Sequence, residues 1–479
     1  MTRAFKAKTA VFIAASLASL ASRVAAQPLG ASPEAAFDVR ALQTHLDKRV
    51  ALDLHPSVIV AWIEPGGRKL MRAGTLAYGD DRKPGPRTLF EIGAATDAFT
   101  VSAVAVRVQQ KALSWNSRLA SYLPADASPP EFRGVPIELR HLASHTSNLP
   151  PRPLNLNPAD ERNPFADYSK ADLTVLLQGI AELNWRPGAR YERSFTGMGA
   201  LGIVLENRTG ADDYEAALRT TLLEPLGLRD TVVALDDTAA ETFAPGHQGI
   251  TAMPPWEWAA LAGAGGVKTS AADLLSFLDA HLGTTPHALT SALQTTHLEI
   301  VPTDREDTVG ALGWLLTKIG PRQLFWSSGR TGGHAAFFGF DRLNARAAVV
   351  LANSAASVED IGFHVLAPDR YPLPQLPGTV SVDSATLARY AGKYEVTGGA
   401  RITIFRRDDR LFAQFDDGIT YRLYALSHRA FRFPIGDTLL EFPDEPGRPS
   451  ARNSDAPVPK ASHLTLRRLT RVVLAKRVD

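Results

Sequence analysis

The chain has 479 residues, 45% hydrophobic and 21% charged, with 52 basic against 50 acidic side chains and no cysteine. This is ordinary globular composition, long enough for two or three domains and too apolar for extended disorder. Balanced charge disfavours nucleic acid or an anionic membrane as the main partner, and the missing cysteine excludes disulfides, thiolate metal sites, iron–sulfur clusters and a thiol nucleophile.

Arg3, Lys6 and Lys8 precede an apolar run over 10–21, and Val24-Ala25-Ala26 follows it. Basic, apolar and small-residue segments in that order read as an export signal over residues 1–26, cleaved after Ala26. The run of about 12 residues falls short of the roughly 20 that span a bilayer. A secreted or periplasmic location is expected.

Ser32-Pro33-Glu34 reads as a helix cap with proline in the first turn, opening a helix to about Arg49. Runs at 57–63 and 69–78, separated by Pro65-Gly66-Gly67, have a hairpin pattern. A long apolar helix is predicted over 96–111, and helical periodicity recurs at 170–180, 198–208, 212–223 and 271–282. Strands return at 323–327, 335–340 and 345–351, the last two joined by a turn over 341–344. Strands at both ends with helices between them predict one antiparallel sheet built from distant segments.

The composition changes after Ala367. Pro368, Pro372, Pro374 and Pro377 read as a stiff linker over 368–379. Short alternating segments at 401–406, 410–415, 420–424, 430–433, 438–442 and 463–469 predict a small barrel or sandwich over 380–479. Residues 447–460 read as an exposed polar loop, and Arg467, Arg468, Arg471, Lys476 and Arg477 as a solvated strand face.

Leu89-Phe90-Glu91-Ile92-Gly93 runs into Ala94-Ala95-Thr96-Asp97-Ala98-Phe99-Thr100. Lys111-Ala112-Leu113-Ser114, Tyr122-Leu123-Pro124 and Leu142-Ala143-Ser144-His145-Thr146-Ser147-Asn148-Leu149-Pro150 follow. Next come Pro187-Gly188, Glu224-Pro225-Leu226-Gly227-Leu228, Gly265-Gly266-Val267-Lys268-Thr269-Ser270 with Asp273, then Gly329-Arg330-Thr331-Gly332-Gly333 and Asn353. Taken in this order, over about 37–365, these stretches resemble the serine β-lactamase-related family: class C β-lactamases, penicillin-binding DD-peptidases and their esterase relatives. Tyr390-Ala391-Gly392-Lys393-Tyr394-Glu395 resembles a β-barrel often appended to such hydrolases. The resemblance implies an α/β (α+β) domain over 27–367, an antiparallel sheet flanked by helices, followed by the small C-terminal β-barrel or sandwich.

It also implies acyl transfer through a serine that a lysine three residues on, one helical turn away, helps to deprotonate. A tyrosine carries protons nearby, and backbone donors hold the oxyanion. Here the matching positions hold Ala94 for the serine, Asp97 for the lysine, Arg193 for the tyrosine and Phe195 for the asparagine beside it. Arg330 stands for the histidine or lysine before Thr331-Gly332. No serine in the chain is followed three residues later by lysine, and Gly-x-Ser-x-Gly is absent.

If these positions converge as their family counterparts do, Asp97 pairs with Arg193 and Arg330 is left to bind a carboxylate or similar anion. The planar guanidinium fits such a group bidentately. The alternative is a set of solvated charges in an unused cleft. Candidate ligand-binding residues are therefore Arg193, Arg330, Thr331 and Gly332, with Trp256 and Trp258, which follow Pro254-Pro255 in an expected loop. Trp314 and Trp326 are further aromatics, Trp314 at a family core position.

Glu138, His141 and His145 fall at helical spacing but lack a third ligand with a general base, so they read as structural, with no metal and no cofactor expected. Thr96, Ser147, Ser194 and Ser328 are the hydroxyls that could replace the serine, with His334 as a base, or that merely cap turns. The leading reading is a catalytically degenerate family member that binds a small peptide-like or carboxylate ligand, of cell-wall origin among others, or a protein partner. Two others stay open: an active esterase, D-peptidase or β-lactamase with a non-standard nucleophile, and an interaction protein with a vestigial cleft. Neither nucleic-acid binding nor stable membrane insertion is expected.

Overall fold

A computed structural model describes residues 37–124, 127–376, 378–396, 399–434, 438–443, 460–468 and 471–479. The predicted export signal, the Ser32 cap and nearly all of the predicted 447–460 loop lie outside these residues. Helix α1 (Val39–Ala51) is capped by Asp38, whose carboxylate accepts from the N–H groups of Arg40 and Ala41. Strands β1 (Ser57–Glu64) and β2 (Gly67–Gly74) form the expected hairpin. A 3₁₀ turn over Gly93–Thr96 leads into α2 (Asp97–Gln109), whose first ten residues are all buried. Such a helix, buried on every side, belongs at the centre of a domain.

Helix α3 (Phe195–Thr209) and helix α4 (Ala271–Leu282) flank α2, and α4 has the bounds its periodicity predicts. The stretch 212–223, predicted as one helix, is helical from Tyr214, but its middle, Arg219–Leu223, widens to a π turn before α-helix resumes over Glu224–Leu226. Pro225, in the first turn of that segment, lacks an N–H and its ring crowds the carbonyl four residues back, which a regular ladder up to it could not accommodate.

The remaining strands of the main sheet are β3 (Val301–Pro302), β4 (Thr308–Gly310), β5 (Leu315–Ile319), β6 (Arg322–Arg330), β7 (Ala335–Asp341) and β8 (Arg346–Ala352). The eight strands form one sheet in the order β2-β1-β8-β7-β6-β5-β4-β3. Every pairing is antiparallel, and β1 meets β8 with Val58 opposite Ala352, so the N-terminal hairpin pairs with the last strand of the sheet. The predicted antiparallel sheet from distant segments is therefore present. Strands β3 to β5 were not predicted, because pieces this short carry no period.

Both sheet faces are covered. Val58, Val60, Trp62, Val350 and Phe337 face α1 and α5 (Glu359–Leu366). Ile59, Ala61, Ile63, Val349, Phe338 and Phe340 face α2 and α4. Two-sided burial explains why these strands read as continuous apolar runs instead of alternating ones. Trp314 and Trp326 are both core residues.

The C-terminal segment folds as a closed eight-stranded barrel, from Gly392–Val396 to Arg471–Arg477, filled by Tyr394, Ile402, Leu423, Phe431, Leu440 and Leu464 among others. Barrel closure removes unpaired edges, which resolves the choice between barrel and sandwich. Arg477 departs from the solvated face read from the sequence: it is buried over the Tyr394 ring and donates to the Ala391 carbonyl at 2.6 Å. The barrel docks on the hairpin Gly246–Gln248/Thr251–Met253, where Ile250 N–H donates to Thr420 O at 2.9 Å and Thr420 N–H to Thr251 Oγ1 at 2.9 Å. Arg422 adds an ion pair to Asp53 at 3.0 Å. Among the described residues no helix is long and apolar enough to cross a membrane.

Candidate functional site

Two glycines set the site. Gly329 on β6 lies so close to the 3₁₀ turn that a Cβ would sit 1.9 Å from the Ile92 carbonyl oxygen and 2.7 Å from Ala94 N. Gly93 has φ +49° and faces the Arg330 backbone, so a side chain there would be both strained and crowded. The end of β6 is thus laid directly on the start of α2. This places Ala94, Asp97, Ser328 and Arg330 in one neighbourhood.

Asp97 is 2% exposed and opens α2. Its Oδ2 accepts from Arg193 Nη2 at 2.8 Å and Nε at 3.2 Å, and from His145 Nε2 at 3.0 Å. Ser194 N–H donates to His145 Nδ1 at 3.3 Å, so the ring proton sits on Nε2 and points at Asp97. Asp97 Oδ1 is buried with no partner among the described residues. Arg193 also donates to the carbonyls of Ser328, at 3.3 Å, and Ala94. Burial alone would lower its guanidinium, but Asp97 and Tyr191 beside it hold it above the ordinary value.

Arg330 ends β6 exposed to solvent and has no hydrogen-bond or ion-pair partner among the described residues. Ala94, Arg193, Phe195, Ser328 and Arg330 line a cleft of about 300 Å³. Two residues that the sequence reading did not single out close it, Arg305 and Glu359. Glu359 accepts from Ser328 Oγ at 2.6 Å and from Arg305 Nη1 at 3.2 Å. An acidic residue in the first turn of a helix carries no mark that it faces a cleft, so only the fold could find it.

The other candidates are structurally engaged. Thr331 Oγ1 donates to buried Glu91 at 2.6 Å and accepts from His334 N–H at 3.1 Å. His334 Nδ1 meets the same Glu91 oxygen at 3.1 Å and its Nε2 donates to the Ala244 carbonyl at 2.9 Å. Burial pushes Glu91 up, but His334 and Lys268 outweigh it and leave the carboxyl below its ordinary range. Thr96 Oγ1 accepts from Val267 N–H, Ser147 Oγ from Leu149 N–H, and Ser194 Oγ caps α3 through Gly197 N–H.

Trp258 is 3% exposed and stacked on Phe165, with ring centroids 4.4 Å apart. Trp256 covers Gly332 and donates from its indole to the Arg162 carbonyl at 2.8 Å. Both line a separate pocket of about 460 Å³ with Lys268 and Glu257, apart from the arginine cleft. His141 and His145 diverge: His141 Nδ1 accepts from Glu138 N–H at 3.0 Å, whereas His145 turns to Asp97. Among the described residues no group of three or more His, Asp or Glu side chains could hold a metal ion.

A family model described as Beta-lactamase matches residues 42–364. The chain belongs to the Beta-lactamase family. A second model, a domain of unknown function (DUF3471), matches residues 376–451 in the barrel segment. The D-alanyl-D-alanine-carboxypeptidase/endopeptidase AmpH of Escherichia coli (strain K12) is 26% identical over 265 residues, which are 55% of this chain and 66% of AmpH. A β-lactamase of Lysobacter lactamgenus is 24% identical over 238 residues, 47% of this chain and 56% of its own. The match thus stops short of two thirds of either relative.

Among solved structures, the class C β-lactamase from Rhodobacter sphaeroides superposes with a TM-score of 0.56 at 22% identity, covering 66% of this chain and 94% of that one. The octameric penicillin-binding protein homologue from Pyrococcus abyssi reaches a TM-score of 0.61 at 18% identity, over 92% of this chain and all of its own. At these identities the likeness establishes the fold: a β-lactamase/transpeptidase domain with mixed helices and sheet, plus the barrel.

Proposed function

We propose that this Beta-lactamase family member is a binding protein that does not form an acyl-enzyme, and that its cleft takes a carboxylate of a small peptide-like ligand. The observation that carries the reading is Arg330, an exposed cation bordering the cleft with no partner among the described residues. Ala94 offers no nucleophile, and a carboxylate held by Arg193 and His145 stands where an amine base is required. A cation already satisfied by Asp97 leaves the anion-binding role to Arg330. AmpH, named for cleavage at D-alanyl-D-alanine, makes a D-alanyl peptide the natural probe. We further read residues 1–26 as an export signal that places the protein outside the cytoplasm, and 27–367, 368–379 and 380–479 as domain, linker and barrel.

Intact mass after incubation with penicillin and with a fluorophosphonate is expected to be unchanged, and N-acetyl-D-alanyl-D-alanine is expected to raise Tm in wild type but not in Arg330→Ala. A stoichiometric adduct would overturn the reading, as would a Tm rise indifferent to Arg330.

A second reading has one observation in its favour. Ser328 Oγ lies 2.6 Å from Glu359 Oε1, the geometry of a hydroxyl beside a general base, and both line the cleft. On that reading the fluorophosphonate adduct forms and maps to Ser328.

A further inference from the structure

Among the described residues nothing holds the Arg330 side chain, so its aim is set by the backbone turn over Thr331–His334 that follows it. Thr331 N–H closes that turn on His334 O at 3.0 Å, and buried Glu91 holds it through Thr331 Oγ1 and His334 Nδ1. The turn also lies against the hairpin Gly246–Gln248/Thr251–Met253, the same hairpin on which the barrel is seated.

Two glycines three residues apart make this hairpin a spacer between turn and barrel. A Cβ on Gly246 would sit 2.9 Å from Gly333 Cα, and one on Gly333 would sit 2.6 Å from Gly246 Cα. The two segments thus touch backbone to backbone, and His247 N–H donates to Gly333 O at 3.0 Å. At the tip, Gly249 has φ +61°, and a Cβ there would lie 2.1 Å from Thr420 O on the barrel. Ile250 N–H donates to that same oxygen, and Gln248 Nε2 donates to Tyr421 Oη at 2.9 Å. The base of the hairpin is tied as well, Pro245 O accepting from Asn353 Nδ2 at 2.9 Å and His247 O from Ala355 N–H at 3.2 Å. Contacts made by backbone on both sides leave no side chain to swing aside, so a shift at the barrel is passed to the turn.

We propose that the barrel presets the anion-binding turn: its seat on Gly249–Thr251 holds the hairpin against Gly333 and so fixes the aim of Arg330. The inference rests on reading Arg330 as the residue that binds a carboxylate, and adds that its affinity depends on a contact made at the barrel. A preset guanidinium has less freedom to lose on binding than a mobile one. By linkage, a ligand at Arg330 strengthens the barrel contact by the same factor.

The test follows amide exchange in the full chain, over 329–336 at the turn and 418–422 at the barrel, together with calorimetric binding of N-acetyl-D-alanyl-D-alanine. Gly249→Ala crowds Thr420, whereas Thr251→Val/Tyr421→Phe removes two polar contacts and keeps the shapes. Both variants are expected to quicken exchange over 418–422 and over 329–336, and to weaken binding about fivefold or more. Arg467→Ala, which breaks a surface pair with Glu441 elsewhere on the barrel, should change neither the turn nor the affinity. Faster exchange over 418–422 with 329–336 unchanged would overturn the coupling, as would an unaltered 418–422 in both variants or an equal effect from Arg467→Ala. A loosened turn with unweakened binding would show that Arg330 does not take its aim from the barrel. A loosened turn in a protein whose wild type binds no N-acetyl-D-alanyl-D-alanine would overturn the reading of Arg330 and keep the coupling of barrel to turn.

Discussion

Asp97 gathers most of what the substitutions in the cleft have done. Its one engaged oxygen takes three donors from two side chains, and Arg193 in turn ties the start of α2 to β6 through the Ala94 and Ser328 carbonyls. Removing the carboxylate strands a guanidinium that is about a third exposed. Asp97→Ala is therefore expected to cost about 2–3 kcal/mol, below the ~3–5 typical when the surviving charge is fully buried. Urea unfolding measures it, and the Asp97→Ala/Arg193→Met double variant should recover part of the loss. Wild-type stability in Asp97→Ala would mean the pair is not what joins these elements. The pairing partners were nameable from the sequence only because flanking motifs aligned them with a family pattern; nothing local at Asp97 or Arg193 points to the other. Glu359 had no such guide, and it completes the same cleft.

At the level of elements, the contact between β6 and the 3₁₀ turn decides whether there is a cleft at all. Gly329→Ala would drive a methyl into the Ile92 carbonyl and the Ala94 and Ala95 amides. Backbone on both sides cannot swing away as a side chain can, so a loss of about 2–3 kcal/mol is expected in urea unfolding. An unchanged midpoint would show that β6 can lift off the turn freely. Long periodic elements were legible: α4 has its predicted bounds, and β6, β7 and β8 lie where apolar runs placed them. The π turn at Arg219–Leu223 was not, because hydrophobic period is blind to a ladder widened ahead of a proline. The short strands β3 to β5 were missed for the complementary reason, that two to five residues cannot display alternation.

Across the whole molecule, buried histidines tie stability to pH. Burial, reinforced by Arg49, pushes His45 down to about 4. Burial with Arg140 brings His141 to about 4, and burial with Arg342 brings His297 to about 3. Unfolded, each titrates near 6.5, so below that pH the unfolded chain binds protons the folded one refuses. Stability is then fully present above pH ~6.5 and lost as pH falls toward 4, by up to ~1.4 kcal/mol per pH unit for each histidine. The urea midpoint should drop between pH 7 and 4.5. His45→Gln, whose amide oxygen can still accept from Arg49 Nε, should flatten the drop; an identical slope would remove His45 from the account.

What the sequence by itself determined is the class of fold and the absence of a Ser-x-x-Lys pair. Motif order and hydrophobic period are carried by neighbours along the chain, and so survive without coordinates. What only the tertiary structure decided is which charges stay unanswered. Asp360 meets Arg49 from 311 residues away and Ser328 meets Glu359 across 31. The barrel meets the first domain through Thr420, Tyr421 and Arg422, whose partners Thr251, Gln248 and Asp53 lie far away in the sequence. Ion pairing depends on distance in space, which no spacing in sequence encodes, so these partners became visible only once the chain had folded back on itself.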